Sequence, residues 1–322
     1  MSTSTHPAAP WVASLAEPIA PHDRTIPLHP GGGPAKASVL GLAATTRVTR
    51  ELTVAARLLL RSAVEDHGFR ALAIEGTQGP FAAAAALLDH YVTTGEGDPA
   101  ALLLASQGFL HTGEALDLVT WLRGWAAEHP DDPVRVVHET ASEASSAPAD
   151  LAQVEADLAR RDLEWHGRTG QRVVHWGGTA HLVAASPRIL GEAPEELHPS
   201  AGHRLRAELG DRYAVVALTF GRGEILGHPA LPPSPDLAES AFEGVPHQAF
   251  HLDLAHLADA PDDVVAWWRR TSRVRCVGPS HDRDNEARTW VEAPGTAPVA
   301  DAFVHMARVS APTPLRAPAE HP

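Results

Sequence analysis

Short apolar runs alternate along the chain with longer segments whose apolar residues recur at helical spacing. The first example is the apolar run 39–43, which is followed by a helix-patterned segment, 47–67, that stops at Gly68. A glycine directly after such a segment is typical of a helix C-terminus. The same reasoning predicts strands over 39–43, 71–75, 134–138, 172–176, 213–220, 274–277 and 302–306, and helices over 47–67, 82–91, 116–127, 151–166 and 205–209.

This order of elements predicts one α/β domain. Strands that alternate with helices form a mainly parallel sheet with helices on both faces. We expect that domain over residues 38–310. Residues 1–37 are rich in proline, which disfavours helix and central strand, and we interpret them as an N-terminal arm or a long loop leading into the domain. Prolines also predict a loop or flap over 229–246 and a disordered tail over 311–322.

Charge and composition narrow the range of partners. Lys and Arg number 26 against 40 Asp and Glu, a net charge of −14, and this surface would repel a phosphate backbone. We therefore expect no nucleic-acid partner, and no apolar stretch is long enough to predict a membrane partner. The first ten residues lack the basic stretch and the apolar stretch of a secretory signal peptide. The single cysteine, Cys276, cannot form an internal disulfide. These features favour a cytoplasmic protein.

Ligands of open α/β sheets bind at the carboxyl ends of the strands, so polar residues there are the candidates for chemistry. Glu75 ends an apolar run, where desolvation would raise its pKa toward that of a useful acid or base. The alternative is a carboxylate that pairs with an arginine or caps the next helix. His181 follows a Gly-Gly-Thr turn and could relay a proton, or could simply bond a loop carbonyl.

Other polar or aromatic residues near strand ends are weaker candidates, for substrate binding rather than catalysis. They are Thr45, His138, Trp176 and Thr179. The sequence contains no spacing typical of a zinc helix, a cysteine metal cluster or a Gly-x-Ser-x-Gly nucleophile turn. We therefore expect no metal, no cofactor and no covalent serine mechanism.

Five segments of the chain carry recognisable motifs, namely 68–75, 114–123, 173–181, 210–218 and 275–278. In this order they resemble the erythromycin esterase family. The resemblance implies an α/β hydrolase-type fold and an activity related to the hydrolysis of macrolide lactones. It also implies functional roles for Glu75 and His181, which match the family's motifs. The family's arginine in the first long helix falls on Ala56, so its neighbour Arg57 becomes a further candidate for substrate binding.

The chain departs from that family where the chemistry is expected. The family's first strand ends in Gly-Glu-Ala-Thr-His, whose Glu and His serve to activate water. Here the segment reads Gly-Leu-Ala-Ala-Thr over 41–45, or Ala-Ala-Thr-Thr-Arg over 43–47, and neither register supplies a Glu or a His. The later His-Asn-x-His motif reads Gly-Thr-Ala-His over 178–181, so its first histidine is also replaced.

Two hypotheses follow. The first is an enzyme of hydrolase type that tailors or hydrolyses a natural product or a modified peptide, with Glu75 and His181 as acid/base or orienting groups. The second is a hydrolase fold that has lost its chemistry and binds a small molecule or a peptide. The oligomeric state and the substrate stay open.

Overall fold

The computed structural model describes residues 6–77, 81–138, 150–186, 189–190, 198–271, 273–278, 290–293 and 299–315. The α-helices are α1 Ala9–Leu15, α2 Gly33–Lys36, α3 Arg50–His67, α4 Ala82–Thr94, α5 Pro99–Leu104, α6 Gly113–Glu128, α7 Leu151–Thr169, α8 Thr179–Leu182, α9 Ala201–Leu209 and α10 Asp262–Arg270. The strands are β1 Glu17–Pro18, β2 Val39–Ala44, β3 Phe69–Ile74, β4 Arg135–Val136, β5 Arg172–Gly178, β6 Ile189–Leu190, β7 Tyr213–Ile225, β8 His228–Ala230, β9 Ala249–Asp253, β10 Arg273–Arg275, β11 Trp290–Glu292 and β12 Ala302–Val309.

Nine of these strands form one mixed sheet. Its order is β1-β9-β12-β7-β2-β5-β3-β4, with β8 attached to β7. The six strands from β12 to β4 run parallel, and β9 and β1 add an antiparallel edge. The predicted α/β class with a mainly parallel sheet is therefore confirmed.

The hydrophobic core has two parts, one on each face of the sheet. Side chains of a strand point alternately to the two faces, and β5 shows this directly. Its Val174 and Trp176 pack with residues of α3, α4 and α6, whereas Val173 packs with residues of α7, α9 and α10. The central strands are buried along almost their whole length, which is why they read as continuous apolar runs in the sequence.

The N-terminal segment is more structured than the proline content predicts. Val12 of α1 and Ile26 are fully buried, and β1 pairs with β9 at the sheet edge. Helix α1 tolerates Pro10 because a proline in the first helical turn has no backbone N–H to lose from the ladder. Residues of the predicted arm thus pack as part of the α/β domain.

Two other proline-rich segments also differ from expectation. Within the predicted loop or flap, 229–246, the structure has the end of β8 and a buried 3₁₀ helix, Ala238–Phe242, with irregular segments between and after them. At the C-terminus, the Leu315 N–H donates to the His111 carbonyl at 3.0 Å, so the start of the predicted tail is attached. Residues 316–322 lie outside the described residues. Among the helices that the structure describes, none has the length and apolar character needed to cross a membrane.

Candidate active site

Three neighbouring parallel strands bring the candidate residues together. β2, β5 and β3 are adjacent, and they end at Ala44, Gly178 and Ile74. Because parallel strands present their carboxyl ends at one edge of a sheet, the loops that follow them converge. Arg47, Glu75 and His181 follow these three strands and meet at that edge.

Glu75 is the centre of a network of charges. One carboxylate oxygen, Oε2, accepts a hydrogen bond of 2.7 Å from the backbone N–H of Gly178. The other, Oε1, forms an ion pair with Arg47 and lies 3.4 Å from Nε2 of His181. The side chain is almost completely buried, and its own N–H donates to the Trp176 carbonyl at 3.0 Å. The carboxylate therefore has a fixed position and orientation.

The charge state of Glu75 is opposite to the one expected from its position. Burial by itself raises the pKa of the carboxyl, but Arg47, His181 and the Gly178 N–H stabilise the anion and lower the pKa to about 2. The expectation of a raised pKa is thus wrong, and the alternative of an arginine partner applies. Glu75 is a permanent anion at neutral pH.

His181 lies between two carboxylates. Its Nδ1 donates to Oε1 of Glu155 at 2.7 Å, while Nε2 faces Glu75. Burial lowers the pKa of the imidazole, but Glu75 and Glu155 raise it by more, so the pKa of His181 lies above its ordinary value of 6.5. The two carboxylates therefore favour the protonated imidazolium form of His181.

Glu155 belongs to the site, although the sequence analysis did not select it. It is fully buried on α7, and its Oε2 accepts a hydrogen bond of 2.7 Å from the N–H of Ala201, the first residue of α9. Glu155 thus bridges the N-terminus of α9 and the imidazole of His181, and it orients that ring. The available signal was the buried face of α7, where Glu155 and Asp162 occur among apolar residues.

Arg47 is the second site residue without a predicted role. Its guanidinium carbon lies 4.0 Å from the centroid of the Phe109 ring, a cation–π contact, and its side chain is mostly buried. In the second of the two registers considered above, Arg47 occupies the position of the family's water-activating histidine. In that register a cation stands where the family has the histidine, and in the structure this cation pairs with Glu75.

A cavity of about 220 Å³ opens beside this network. Its lining consists of Ala44, Thr45, Thr46, Arg47, Leu151, Gly178, Ala180, His181, Cys276, Val277 and Gly278. The segment with Cys276 is held there because the Val277 N–H donates to the Thr45 carbonyl at 2.7 Å. Pockets that enclose drug-sized ligands measure about 300–1,000 Å³, so this cavity accommodates a reacting group or a small ligand.

Of the candidate substrate-binding residues, Thr45 is the one in the cavity lining, where its hydroxyl donates to the Leu218 carbonyl at 3.0 Å. Thr179 is fully buried, and its hydroxyl donates to the Arg275 carbonyl at 3.3 Å. Trp176 packs in the hydrophobic core. Neither Thr179 nor Trp176 presents a side chain to the cavity, because both are covered by neighbouring elements.

His138 and Arg57 also lie apart from the cavity lining. His138 Nδ1 bonds the Val136 carbonyl at 3.0 Å, and the ring packs edge-on against Trp165. Arg57 pairs with Asp117 at 3.1 Å between α3 and α6. On α3 its side chain points toward α6 rather than toward the sheet edge, which explains why the structure does not bring it to the site.

Comparisons with known proteins agree on the fold. The family model described as "Erythromycin esterase" matches residues 64–138 and 139–309. A Bacillus cereus protein of known crystal structure has a TM-score of 0.76 at 17% identity, and the match covers 98% of this chain and 100% of that one. A succinoglycan biosynthesis protein gives 0.75 at 14% identity, with the same coverage. A histidine-to-asparagine variant of the erythromycin esterase EreC, in its open conformation, gives 0.60 at 13% identity and covers 88% of this chain and 93% of that chain.

At such low identities these structural likenesses concern the fold. No curated protein matches the chain in the sequence search.

Proposed function

The chain belongs to the erythromycin esterase family, and on this premise we propose that it is an enzyme of hydrolase type. Its substrate is an ester or amide group of a natural product or a modified peptide. The observation that carries the proposal is the meeting of Glu75, His181 and Glu155, from three separate parts of the chain, beside one cavity. A titratable ring oriented by a buried carboxylate is the usual construction of a proton-transfer group.

In this proposal His181 is a general acid. Its raised pKa extends the protonated form to higher pH than in an ordinary histidine, and in that form it can deliver a proton to the oxygen or nitrogen that leaves during hydrolysis. Glu155 holds the ring in place and stabilises its positive charge. Arg47 and His181 together offer two cationic groups near the cavity, which favour the negative charge that develops on a carbonyl oxygen.

The base half of the acid–base pair is replaced in this chain. Ala44 and Arg47 stand at the positions of the family's Glu and His in one register, and Gly178 stands at that of a second histidine. Glu75, with a pKa of about 2, is a weak base. We therefore expect slow hydrolysis in which water attacks without strong activation.

We expect His181→Gln to lower hydrolysis of a reactive ester by about 10²-fold, the low end of the usual range for a lost acid or base. Activity of the parent protein should fall as pH rises through the raised pKa of His181, because the acid form disappears. The measurement is kcat and kcat/KM against pH on a panel of macrolactones and aryl esters. His138→Gln is the matched control, since His138 also follows a strand end but lies outside the cavity lining. Equal rates in the parent and His181→Gln would reject this role.

A binding protein is the second candidate, favoured by the Arg47–Glu75 ion pair that occupies the place of the catalytic base. Here the cavity holds a small anionic ligand near Arg47 and His181, and nothing is consumed. Such a ligand would raise the melting temperature by stabilising the folded state.

Cys276 provides a direct test of binding at this cavity, because it is the chain's single cysteine and lines the cavity. A compound that occupies the cavity should slow alkylation of Cys276 by at least tenfold at saturation. The rate is measured by mass spectrometry of the intact protein with an iodoacetamide reagent. A compound that raises the melting temperature but leaves the alkylation rate of Cys276 unchanged binds elsewhere. If a compound that slows alkylation is itself slowly converted to product, the result favours the enzyme hypothesis over the binding protein.

A further inference from the structure

A second cluster of potential ligands lies at the opposite, antiparallel edge of the sheet. Glu17 of β1 is the direct cross-strand partner of His251 of β9. Directly paired residues project from the same face with their Cβ atoms about 4.5–5.5 Å apart, so the backbone itself places these two side chains together. His29, from the loop before α2, stacks on His251 with 5.2 Å between ring centroids.

The ligand atoms of these three residues already lie close to one another. Nε2 of His29 is 3.2 Å from Oε1 of Glu17, and one ligand atom from each residue falls within 4.8 Å of the other two. Tetrahedral zinc bound at 2.0–2.1 Å separates its ligand atoms by about 3.3 Å. The Glu17–His29 distance fits this value, and the half-buried His29 can adjust its side chain toward His251.

His251 adds an observation that a surface ion pair does not explain. The side chain is 2% exposed, yet neither ring nitrogen has a hydrogen-bond partner among the residues that the structure describes. Buried polar groups are normally satisfied, and an exception of this kind calls for an explanation such as a bound ion. A metal ion on one nitrogen would supply the missing interaction.

Two members of the cluster, Glu17 and His29, can also be reached from solvent. Glu17 and His29 border a cavity of about 490 Å³, whose lining includes Asp253 and His256. This opening provides a path for an ion, and the carboxylate of Asp253 adds negative charge to it. A cation would meet a favourable potential in a chain whose net charge is −14.

We propose that Glu17, His29 and His251 bind one divalent transition-metal ion, for which Zn²⁺ is the best match. Two imidazoles and one carboxylate are a common zinc ligand set, and in sites with three protein ligands water takes the fourth position. Because Glu17 and His29 come from the first 37 residues and His251 from the sheet, the ion ties the N-terminal segment to the domain. The ion would stabilise the packing of the N-terminal segment against the sheet. This role is independent of the proposed hydrolysis.

The experiment uses the full chain after treatment with a chelator. Zn²⁺ is titrated calorimetrically, and we expect one high-affinity equivalent per chain. His29→Gln and Glu17→Gln should each weaken the Kd at least tenfold. His256→Gln is the matched control: it removes a histidine of the same cavity that is not in the cluster, and the Kd should stay within twofold.

Two further readouts test the geometry. Co²⁺ in place of Zn²⁺ should give the visible ligand-field bands of a tetrahedral site, and these bands should disappear in His29→Gln. Zn²⁺ should also slow hydrogen exchange at the Ile19 amide, which donates to the Ala249 carbonyl across the β1–β9 edge. Circular dichroism verifies that each variant is folded.

The chain has 20 histidines, so weak binding at several sites is the competing result. The proposal is overturned if no stoichiometric binding occurs, if the Kd is the same in His29→Gln, or if His256→Gln weakens binding as strongly as the cluster variants. His251→Gln is expected to behave like His29→Gln. Since His251 is buried and its variants can misfold, the partly exposed His29 and Glu17 variants decide the matter.

Discussion

Glu75→Gln is expected to lower the free energy of unfolding by about 3–5 kcal/mol, the usual cost of removing one partner from a buried ion pair. The substitution keeps the size of the side chain but leaves the charges of Arg47 and His181 without their anion. The measurement is urea unfolding at pH 7. Glu65→Gln is the control, because Glu65 also pairs with an arginine of α3, Arg61, but at the surface. Its effect should be below about 1 kcal/mol.

The pH dependence of this effect has a defined sign. Interactions in the folded state depress the pKa of Glu75 from its ordinary value of 4.5 to about 2. This depression corresponds to roughly 3 kcal/mol of stability at neutral pH, in agreement with the expected mutational cost. The contribution is fully present above pH 4.5 and is lost as pH falls toward 2. The difference in unfolding free energy between the parent and Glu75→Gln should therefore become smaller as pH falls from 4.5 toward 2. A difference that does not change with pH would contradict the lowered pKa of Glu75.

A double-variant cycle isolates the pair. Arg47→Gln alone should also be destabilising, because it leaves the Glu75 anion buried without its main partner. The combined variant, Arg47→Gln with Glu75→Gln, should lose less stability than the sum of the two single changes. The coupling energy is the loss of stability in the combined variant minus the sum of the losses in the two single variants. For groups in contact its size is about 0.5–3 kcal/mol. Strict additivity would mean that the ion pair contributes nothing to stability.

Much of the sheet could be predicted from the sequence because its central strands are buried on both faces. Such strands read as apolar runs, and the runs at β2, β3, β5 and β7 all mark real strands. The antiparallel edge of the sheet was harder to predict. β9 has two histidine or acidic residues within five positions, His251 and Asp253, and an interrupted apolar pattern does not distinguish such a strand from a loop.

Helix α10 shows a signal that was available but missed. Its buried residues Val264, Trp267 and Trp268 have helical spacing, and acidic residues begin the helix while arginines end it. That arrangement complements the helix dipole and is typical of a short surface helix. The N-terminal segment, by contrast, gave no local signal, because Val12 and Ile26 are buried only by elements distant in sequence.

The site was predictable in position but not in charge state. Glu75 and His181 could be placed together because parallel strands end at a common edge. The identity of their partners depends on side chains from elsewhere: Arg47 from a loop and Glu155 from the middle of a helix. These partners reverse the sign of the pKa shift expected for Glu75, so a local reading of one buried carboxylate gave the wrong protonation behaviour. Similarly, the Glu17–His29–His251 cluster has no characteristic spacing in the sequence.

The combined variant Ala44→Glu and Arg47→His is expected to raise ester hydrolysis by about 10²–10⁴-fold, the range that a general base supplies. In one of the two registers of the family resemblance, the water-activating Glu and His fall at these two positions. Ala44 and Arg47 both line the cavity, so the new side chains would face the reacting group. Removal of Arg47 also leaves His181 as the remaining charged partner of Oε1 of Glu75, while Glu155 keeps His181 in place. The measurement is the initial rate with erythromycin and an aryl ester, after thermal unfolding shows that the variant is folded.

Arg47→Gln separates the two effects that this change combines. It removes the positive charge from Glu75 and from the cavity but supplies no base, so its rate should not exceed that of the parent. Equal gains in Arg47→Gln and in the combined variant would show that releasing Glu75, rather than a new histidine, is responsible. A folded combined variant that gains nothing, with erythromycin or with the aryl ester, would count against the register that places Arg47 at the histidine position. A gain in rate would mean that His181 still works as the general acid and that the chain lacks only a general base. A new base at position 47 can raise the rate only if that acid is functional.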